Sequence, residues 1–315
     1  MNTTRRDFVG LAGLGLAAIP TESHVVFPPS LPLNRILCGG DVMMCRYIGI
    51  SARNQHDPAA PLRDVAPAFS SADIAFVNLE SPFSDVGKPV LHGMVFRAEP
   101  EMIATLETAG IDVVSTANNH ARDGGSHGIE FTLDWLAQHK IAAAGTGATA
   151  EQAHQGVVIA RNGVRFGFLA YTYDQTNGNL KDHDDRVADL DADAMTADVA
   201  SMLRRADVVM VSMHAGDEYH PKPNQEQRAF ARAAIEAGAQ VVIGHHPHVT
   251  QPEETWKGGV IFYSLGNLVF DQFQRQETQH GLLAELFFLG RKLVRYNLIP
   301  VDLVRGFPRI RQQKP

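Results

Sequence analysis

Cysteine is scarce in this sequence, because its 315 residues contain only Cys38 and Cys45. So low a count excludes a small scaffold held together by several disulfides, and the spacing of the pair matches no cysteine-based zinc module. The sequence leaves two alternatives open for this pair, a single short-range disulfide or two unpaired small side chains. Hydrophobic residues make up 44% of the chain, as in an ordinary globular protein, so an apolar core must supply most of the stability.

Positive charge is also in short supply. The chain has 28 Lys and Arg against 35 Asp and Glu, which gives a net charge of −7 and a pI of about 6.0. Nothing here recommends nucleic acid as a partner. An anionic substrate would therefore have to be attracted by local positive charge, such as a metal ion or a few arginines.

Long apolar runs are absent after the N-terminus, so no later segment is expected to cross a membrane. The N-terminus itself pairs Arg5 with Arg6 ahead of the apolar run FVGLAGLGLAAIP, which has signal-peptide length and is too short to span a bilayer. The pair resembles the twin-arginine export signal of bacteria. We therefore expect a signal peptide and leader at residues 1–30, export of the folded protein and a periplasmic or extracytoplasmic location. The alternative is a basic start followed by a buried helix.

The rest of the chain, residues 31–315, alternates strand-like and helix-like segments. Apolar runs such as DIAFVNLE and DVVMVSMH indicate buried strands, and segments such as QEQRAFARAAIEAGA place apolar residues at helical spacing and end in glycine. Alternation of this kind predicts an α/β domain with a largely parallel sheet, closed near the C-terminus by a hairpin in ELFFLGRKLVRYNLIPVDLV.

Residues that can bind metal follow several of these strands. In open α/β sheets the crevice beyond the carboxyl ends of the strands is where ligands bind. Each residue alone has an ordinary structural alternative, such as a turn, a helix cap or a satisfied histidine, but the repetition on five strands favours a metal site. The residues are Asp41, Asn78, Glu80, Asn119, His120, His214, His246 and His248.

The densest part of this pattern is GHHPH. If the segment is extended, His246 and His248 point to the same side and form a pair of ligands, with Pro247 stiffening the link. His245 then points to the other face, where we expect it to play a supporting or structural role.

A set of motifs resembles the CapA-type poly-γ-glutamate capsule synthesis proteins, a family similar to the calcineurin-like metallophosphoesterases. The motifs are GGDVMM, VNLESPFSD, FRAEPE, GIDVVSTANNHARDGG, HAGDEYHPKPNQEQ, VVIGHHPHVTQP and IFYSLGNLVFDQ, from about Arg35 to Gln272. The resemblance implies a four-layer α/β/β/α sandwich, the calcineurin-like metallophosphoesterase fold, with a centre of one or two metal ions at one edge of the paired sheets.

The resemblance also implies roles for individual residues. Met43 stands where the phosphoesterases usually have a histidine, so the first metal would lack one ligand. The expected ligands are Asp41, Glu80, Asn119, His214, His246 and His248. Carboxylate, amide oxygen and imidazole together point to Zn, Mn or Fe.

His120 is the candidate proton donor or oxyanion contact, because histidine titrates in the working range of most enzymes. Asp123 lies three residues further on and is a candidate for orienting the His120 ring; its alternative role is that of an acid at a helix N-terminus.

Arg97 is the candidate for binding a substrate carboxylate or phosphate, with an exposed structural arginine as the alternative. Asn267 is expected to line the same edge or to form a turn. Asp217 and Glu218, which follow His214, are expected to support the ligands from behind.

Three functions fit these features. The first is an exported metal-dependent hydrolase acting on poly-γ-glutamate or a related cell-envelope polymer, and the second is a metal-dependent phosphoesterase. The third is a non-enzymatic factor that binds or exports a capsule polymer. The expected partner is thus an anionic polymer or a phosphoester, with membrane contact only through export; oligomeric state leaves no trace in the sequence.

Overall fold

Two β-sheets form the middle of the molecule, in a computed structural model that describes residues 31–174 and 183–311. The predicted leader at residues 1–30 lies outside the described residues. The strands of the described chain are β1 Leu33–Val42, β2 Ile74–Leu79, β3 Val113–Ser115, β4 Ala142–Ala144, β5 Val157–Arg161, β6 Val164–Thr172, β7 Val208–His214, β8 Val241–His245, β9 Thr250–Trp256, β10 Gly259–Leu265, β11 Asn267–Val269, β12 His280–Leu289, β13 Lys292–Val304 and β14 Phe307–Ile310. Its α-helices are α1 Arg46–Asn54, α2 Ala66–Ser70, α3 Ile103–Ala109, α4 Gly125–Gln138, α5 Ala150–Gln155, α6 Ala192–Met202 and α7 Gln225–Ala237. None of the described helices is long and apolar enough to cross a membrane.

The first sheet has the strand order β14-β13-β12-β1-β2-β3-β4, with β11 also paired to β1. Strands β1 to β4 are parallel, and β12 runs antiparallel to β1. The second sheet has the order β5-β6-β7-β8-β10-β9, in which β6, β7, β8 and β10 are parallel and the two edge strands are antiparallel. The predicted C-terminal hairpin is confirmed as β12 and β13.

Three apolar layers hold the sheets and helices together as a four-layer sandwich. One layer packs α2 and α3 against the outer face of the first sheet, through Phe69 and Leu106. The second lies between the sheets, where Phe76 stacks on Phe168 with ring centroids 5.7 Å apart. The third packs α6 and α7, including Phe230, on the outer face of the second sheet. The α/β/β/α fold implied by the motifs is thus confirmed.

The helix ends follow the signals in the sequence. Helices α3 and α7 end at Gly110 and Gly238, whose φ angles of 70° and 116° suit glycine because it has no Cβ to clash. Helix α7 begins with a capping box between Asn224 and Gln227, which satisfies two backbone N–H groups at its start.

Both cysteines are buried free thiols. Cys38 lies in the layer between the sheets, and Cys45 precedes α1 on the other face of the first sheet. Burial raises the pKa of both thiols. Of the two alternatives that the sequence left open, the structure therefore has the unpaired one.

Candidate metal centre

Three buried side chains meet at the carboxyl ends of strands from both sheets. Asp41 is the penultimate residue of β1, Glu80 directly follows β2, and His214 is the last residue of β7. One ligand atom of each lies within 4.8 Å of the others. We call these three residues the strand group. All three are fully buried, because the ends of parallel strands bring them together beneath the surrounding loops.

A second set of three ligands, the loop group, consists of Glu218, His246 and His248, whose ligand atoms also lie within 4.8 Å of one another. The expectation that the two histidines share an extended segment is wrong. Strand β8 ends at His245, and φ is 97° at His246 and 59° at His248. Such angles are uncommon for residues with a Cβ and cost conformational energy, so a tight turn imposes the positions of these rings.

The two groups are in direct contact. His248 Nδ1 lies 3.5 Å from Asp41 Oδ2, and His248 Nε2 lies 3.7 Å from Glu80 Oε1. The backbone N–H of His246 donates to Asp41 Oδ2 over 3.3 Å. The His214 and His246 rings have centroids 4.9 Å apart. Asp41 therefore interacts with residues of both groups.

Several polar atoms at this point have no hydrogen-bond partner among the described residues. They include both carboxylate oxygens of Glu80, both ring nitrogens of His245 and Nδ1 of His246. Burying such atoms unpaired is costly, and a cation coordinated by the carboxylate and an imidazole would remove much of that cost. These donors are also the types that Zn, Mn and Fe accept, so the residues present fit a divalent metal.

The two buried carboxyl groups differ in their proton affinity. Burial raises the pKa of Asp41, but interactions with His245 and His248 outweigh burial and hold that pKa well below its usual range. Burial, reinforced by the negative charge of Asp41, raises the pKa of Glu80 well above its usual range. Without a metal the pair therefore shares one negative charge more readily than two.

Two of the imidazoles, those of His214 and His246, are held neutral. Burial lowers the pKa of His214 well below its usual range, with a further contribution from His246. Burial and the neighbouring His248 lower the pKa of His246 to about 3. A neutral imidazole keeps a lone pair free, which is the form that binds metal.

Two asparagines and His245 position the strand group from behind. Asn78 Nδ2 donates to Asp41 Oδ1 over 2.9 Å and lies 3.2 Å from His214 Nδ1. Asn118 Nδ2 donates to the Leu79 carbonyl over 2.8 Å. His245 Nδ1 lies 3.3 Å from Asp41 Oδ1 without hydrogen-bond geometry. Asn118 was not singled out from the sequence, although the doubled asparagine of TANNH was its signal.

Asn119 and His120 occupy different sides of the centre. Asn119 Oδ1 lies 2.9 Å from His214 Nε2, which places the amide oxygen beside the strand group. His120 Nδ1 lies 2.7 Å from Asp123 Oδ2, the contact expected of an orienting carboxylate. Phe96 stacks on the His120 ring at a centroid distance of 3.7 Å, and its backbone N–H donates to the same Asp123 oxygen. The ring is thereby fixed from its edge and from one face.

The two candidate substrate-binding residues, Arg97 and Asn267, lie in different places. Arg97 donates to the Lys88 carbonyl over 2.6 Å and lines a separate surface cavity. Asn267 is buried, and its Oδ1 lies 3.0 Å from His248 Nδ1 while its Nδ2 donates to Gln272 and to the Thr278 carbonyl. Asn267 thus lies at the expected edge of the sheets, beside His248, whereas Arg97 lies in an irregular loop at a different cavity.

A cavity of about 440 Å³ opens beside the centre and is lined by His120, Glu218 and His248. Its wall contains Arg46, whose guanidinium pairs with Asp271 and lies 4.5 Å from the centroid of the Phe96 ring. Arg46, rather than Arg97, is thus the arginine next to the centre. It was missed because nothing in CRYIGISARN marks its first arginine as special.

The comparisons with known proteins agree with this geometry. The model of the family "Bacterial capsule synthesis protein PGA_cap" matches residues 35–272. The chain is 32% identical to the PGA biosynthesis protein CapA of Bacillus subtilis (strain 168) over 273 residues, which cover 85% of this chain and 71% of that protein. It is 29% identical to the capsule biosynthesis protein CapA of Bacillus anthracis over 279 residues, covering 86% and 67%.

Solved structures share the fold at low sequence identity. A hypothetical protein from Thermus thermophilus superposes with a TM-score of 0.54 at 19% identity, covering 86% of this chain and all of that one. The NAD nucleotidase of Haemophilus influenzae superposes with a TM-score of 0.50 at 10% identity, covering 86% and 56%. With its four-layer α/β/β/α sandwich, this chain belongs to the bacterial capsule synthesis family PGA_cap, the CapA-type proteins of poly-γ-glutamate capsule synthesis.

Proposed function

We propose that this protein is an exported metal-dependent hydrolase that cleaves poly-γ-glutamate or a related anionic polymer of the cell envelope. The observation that carries the proposal is the meeting of the strand group and the loop group at one buried point, where Glu80 has no partner for either oxygen among the described residues. A surface that only binds a polymer has no need of buried, unsatisfied ligands.

In this proposal a set of residues holds one or two divalent ions, Zn, Mn or Fe, at the centre. These residues are Asp41, Glu80, Asn119, His214, His246 and His248. A bound ion of this kind lowers the pKa of a water molecule and polarises the bond to be cleaved.

The chain's own residues handle the proton and the substrate. Asp123 accepts from Nδ1–H of His120, so a second proton carried on Nε2 is the one that would pass to the leaving group or hydrogen-bond a developing oxyanion. After the transfer the ring would be neutral and keep its proton on Nδ1. Phe96 keeps the ring plane fixed during this step. Arg46 is a cationic side chain on the cavity wall, and it would bind a free carboxylate of a glutamate polymer by exchanging its contact with Asp271.

The test is an assay of the mature chain, reloaded with Zn or Mn, on poly-γ-glutamate and on a chromogenic phosphodiester. We expect chain shortening of poly-γ-glutamate that is lost in His120→Ala while bound metal is retained. Turnover of the phosphodiester alone would replace the proposal with a phosphoesterase. Failure of the chain to bind either metal would contradict both enzymatic functions and leave a polymer-binding or export factor.

Export by the twin-arginine route is part of the proposal and rests on Arg5 and Arg6. We expect the wild-type chain in the periplasmic or extracellular fraction of a producing bacterium, and Arg5→Lys with Arg6→Lys in the cytoplasm. Equal export of both forms would contradict this route.

A further inference from the structure

The residue at the position of the missing histidine carries only a thioether, a poor ligand for Zn, Mn or Fe. Met43 lies in the apolar layer on the outer face of the first sheet and is fully buried there. Its Sδ accepts a contact from the backbone N–H of Cys45 at 3.3 Å. Any ligand that compensates for this methionine must therefore come from another part of the chain.

We propose that Glu218 is that ligand and that it binds a cation together with His246 and His248. This inference rests on the proposed metal centre and adds to it a carboxylate that the family's phosphoesterase-like ligand set does not include. The ligand atoms of the three residues lie within 4.8 Å of one another, as do those of the strand group. Nδ1 of His246 is buried and lacks a hydrogen-bond partner among the described residues, which leaves it available to the ion.

The loop between β7 and α7 is built to hold Glu218 at this place. Gly216 has a φ of 122°, and a Cβ there would come within 2.5 Å of the Gln227 side chain, so the turn after β7 requires glycine. The backbone N–H of Tyr219 donates to the Pro247 carbonyl over 2.8 Å. That bond ties the residue after Glu218 to the residue between the two histidines, so the two loops that carry the three ligands are joined directly.

Two imidazoles and one carboxylate form a donor set that suits Zn, Mn or Fe and leaves positions open for water or substrate. Glu218 and His248 both line the cavity of about 440 Å³, so the open positions would face the space where substrate enters. The strand group would hold its own ion deeper in the fold, where Asp41, Glu80 and His214 are all fully buried.

The experiment compares Glu218→Gln with Glu226→Gln. Both variants replace a glutamate by its isosteric amide, but Glu226 is exposed on the first turn of α7 and belongs to neither ligand group. Each protein is stripped of metal with a chelator and titrated with Zn in a calorimeter. After dialysis, mass spectrometry measures the metal content per chain.

We expect two Zn ions per chain in the wild type and in Glu226→Gln, and one in Glu218→Gln, with the affinity for the lost ion down by more than about 100-fold. The loss should exceed the roughly 10- to 100-fold effect of removing a mere supporting contact. Circular dichroism checks that the variant is folded. If Glu218→Gln binds as many ions as the wild type, each with unchanged affinity, Glu218 is not a ligand, whereas a wild-type chain that binds no metal contradicts the proposed function itself.

Discussion

The strand group and the loop group sit side by side but are positioned by different means. Asp41 and His214 lie within the hydrogen-bonded ladders of β1 and β7, and Glu80 follows β2 directly, so the sheets fix the strand group. His246 and His248 instead lie in a turn with positive φ angles, which contacts outside the strands must maintain. The comparison teaches that a rigid scaffold can supply half of a site, while the other half depends on a few loop contacts that are easily broken.

The strongest test of the comparison is Asp41→Asn, because Asp41 interacts with both groups. The amide loses the negative charge that faces two histidines, and it offers one acceptor oxygen where Asp41 offers two. We expect the affinity for every bound ion to fall by more than about 100-fold, against roughly 10- to 100-fold for a supporting residue. Zn titration of stripped protein measures the change.

Asp193→Asn, an exposed change on the first turn of α6, is the matched control and should bind metal as the wild type does. If Asp41→Asn kept one ion at wild-type affinity, the two groups would be independent, and the contacts between them would carry no binding energy.

Low pH provides a second test, because it acts on the buried imidazoles. His246 has a pKa of about 3 in the folded chain against 6.5 for an ordinary histidine. As pH falls from 6.5 towards 3, the unfolded chain takes up a proton that folded His246 refuses, so stability is lost with falling pH. Between pH 7.5 and 5 the metal-free wild type should lose about 2 kcal/mol more unfolding free energy than His246→Asn.

Urea unfolding at the two pH values measures this difference. Both proteins retain Asp41 and Glu80, so the contributions of these two carboxyl groups to the pH dependence of stability largely cancel in the comparison. His220→Asn removes an exposed imidazole and should follow the wild type. Identical pH dependence of wild type and His246→Asn would show that the folded state does not hold this ring neutral.

A smaller and more selective effect is expected from Asn267→Ala. The change removes the acceptor 3.0 Å from His248 Nδ1 and so frees the ring to rotate. We expect the ion of the loop group to bind about tenfold more weakly, while the ion of the strand group is unaffected. Competition with a chelator of known affinity measures the two constants, and Asn297→Ala on β13 is the control. Equal weakening of both ions would remove the distinction between the groups.

The smallest expected effect is the release of protons when the metal ion binds. Burial and the negative charge of Asp41 raise the pKa of Glu80 well above the ordinary value, so the metal-free centre favours the protonated form of this carboxyl. An ion that binds Glu80 must displace that proton, so binding should release about one proton per chain and tighten as pH rises. Calorimetry in two buffers with different ionisation enthalpies measures it. The same binding enthalpy in both would mean that Glu80 is already ionised before the ion arrives.

The sequence predicted the strand group better than the loop group. Asp41, Glu80 and His214 end clear apolar runs, and the carboxyl ends of parallel strands meet by the geometry of the sheet, so their convergence was predictable. The pairing of His246 with His248 was anticipated for the wrong reason, since they share a turn and not a strand. No rule of periodicity yields the φ angles of such a turn.

Loop residues were the least predictable. The sequence singled out Arg97 as the anion contact and not Arg46, and only the path of the chain in the folded structure puts Arg46 on the cavity wall. Glu218 was expected as a supporting acid because its closeness to the histidines depends on the bond from Tyr219 to Pro247, between residues 28 positions apart. Helix α1 was missed because Cys45 gives no capping signal and Gly49 interrupts its pattern.

His245 lies between the metal centre and the hydrophobic core, beside Asp41. Its ring lies 6.1 Å from that of Phe76, which stacks in turn on Phe168 of the opposite sheet. An ion bound to Asp41 would therefore link the two sheets. Removing it with a chelator should lower the melting temperature of the whole domain. Substitutions in the core between the sheets would then affect the metal site without changing any of its ligands.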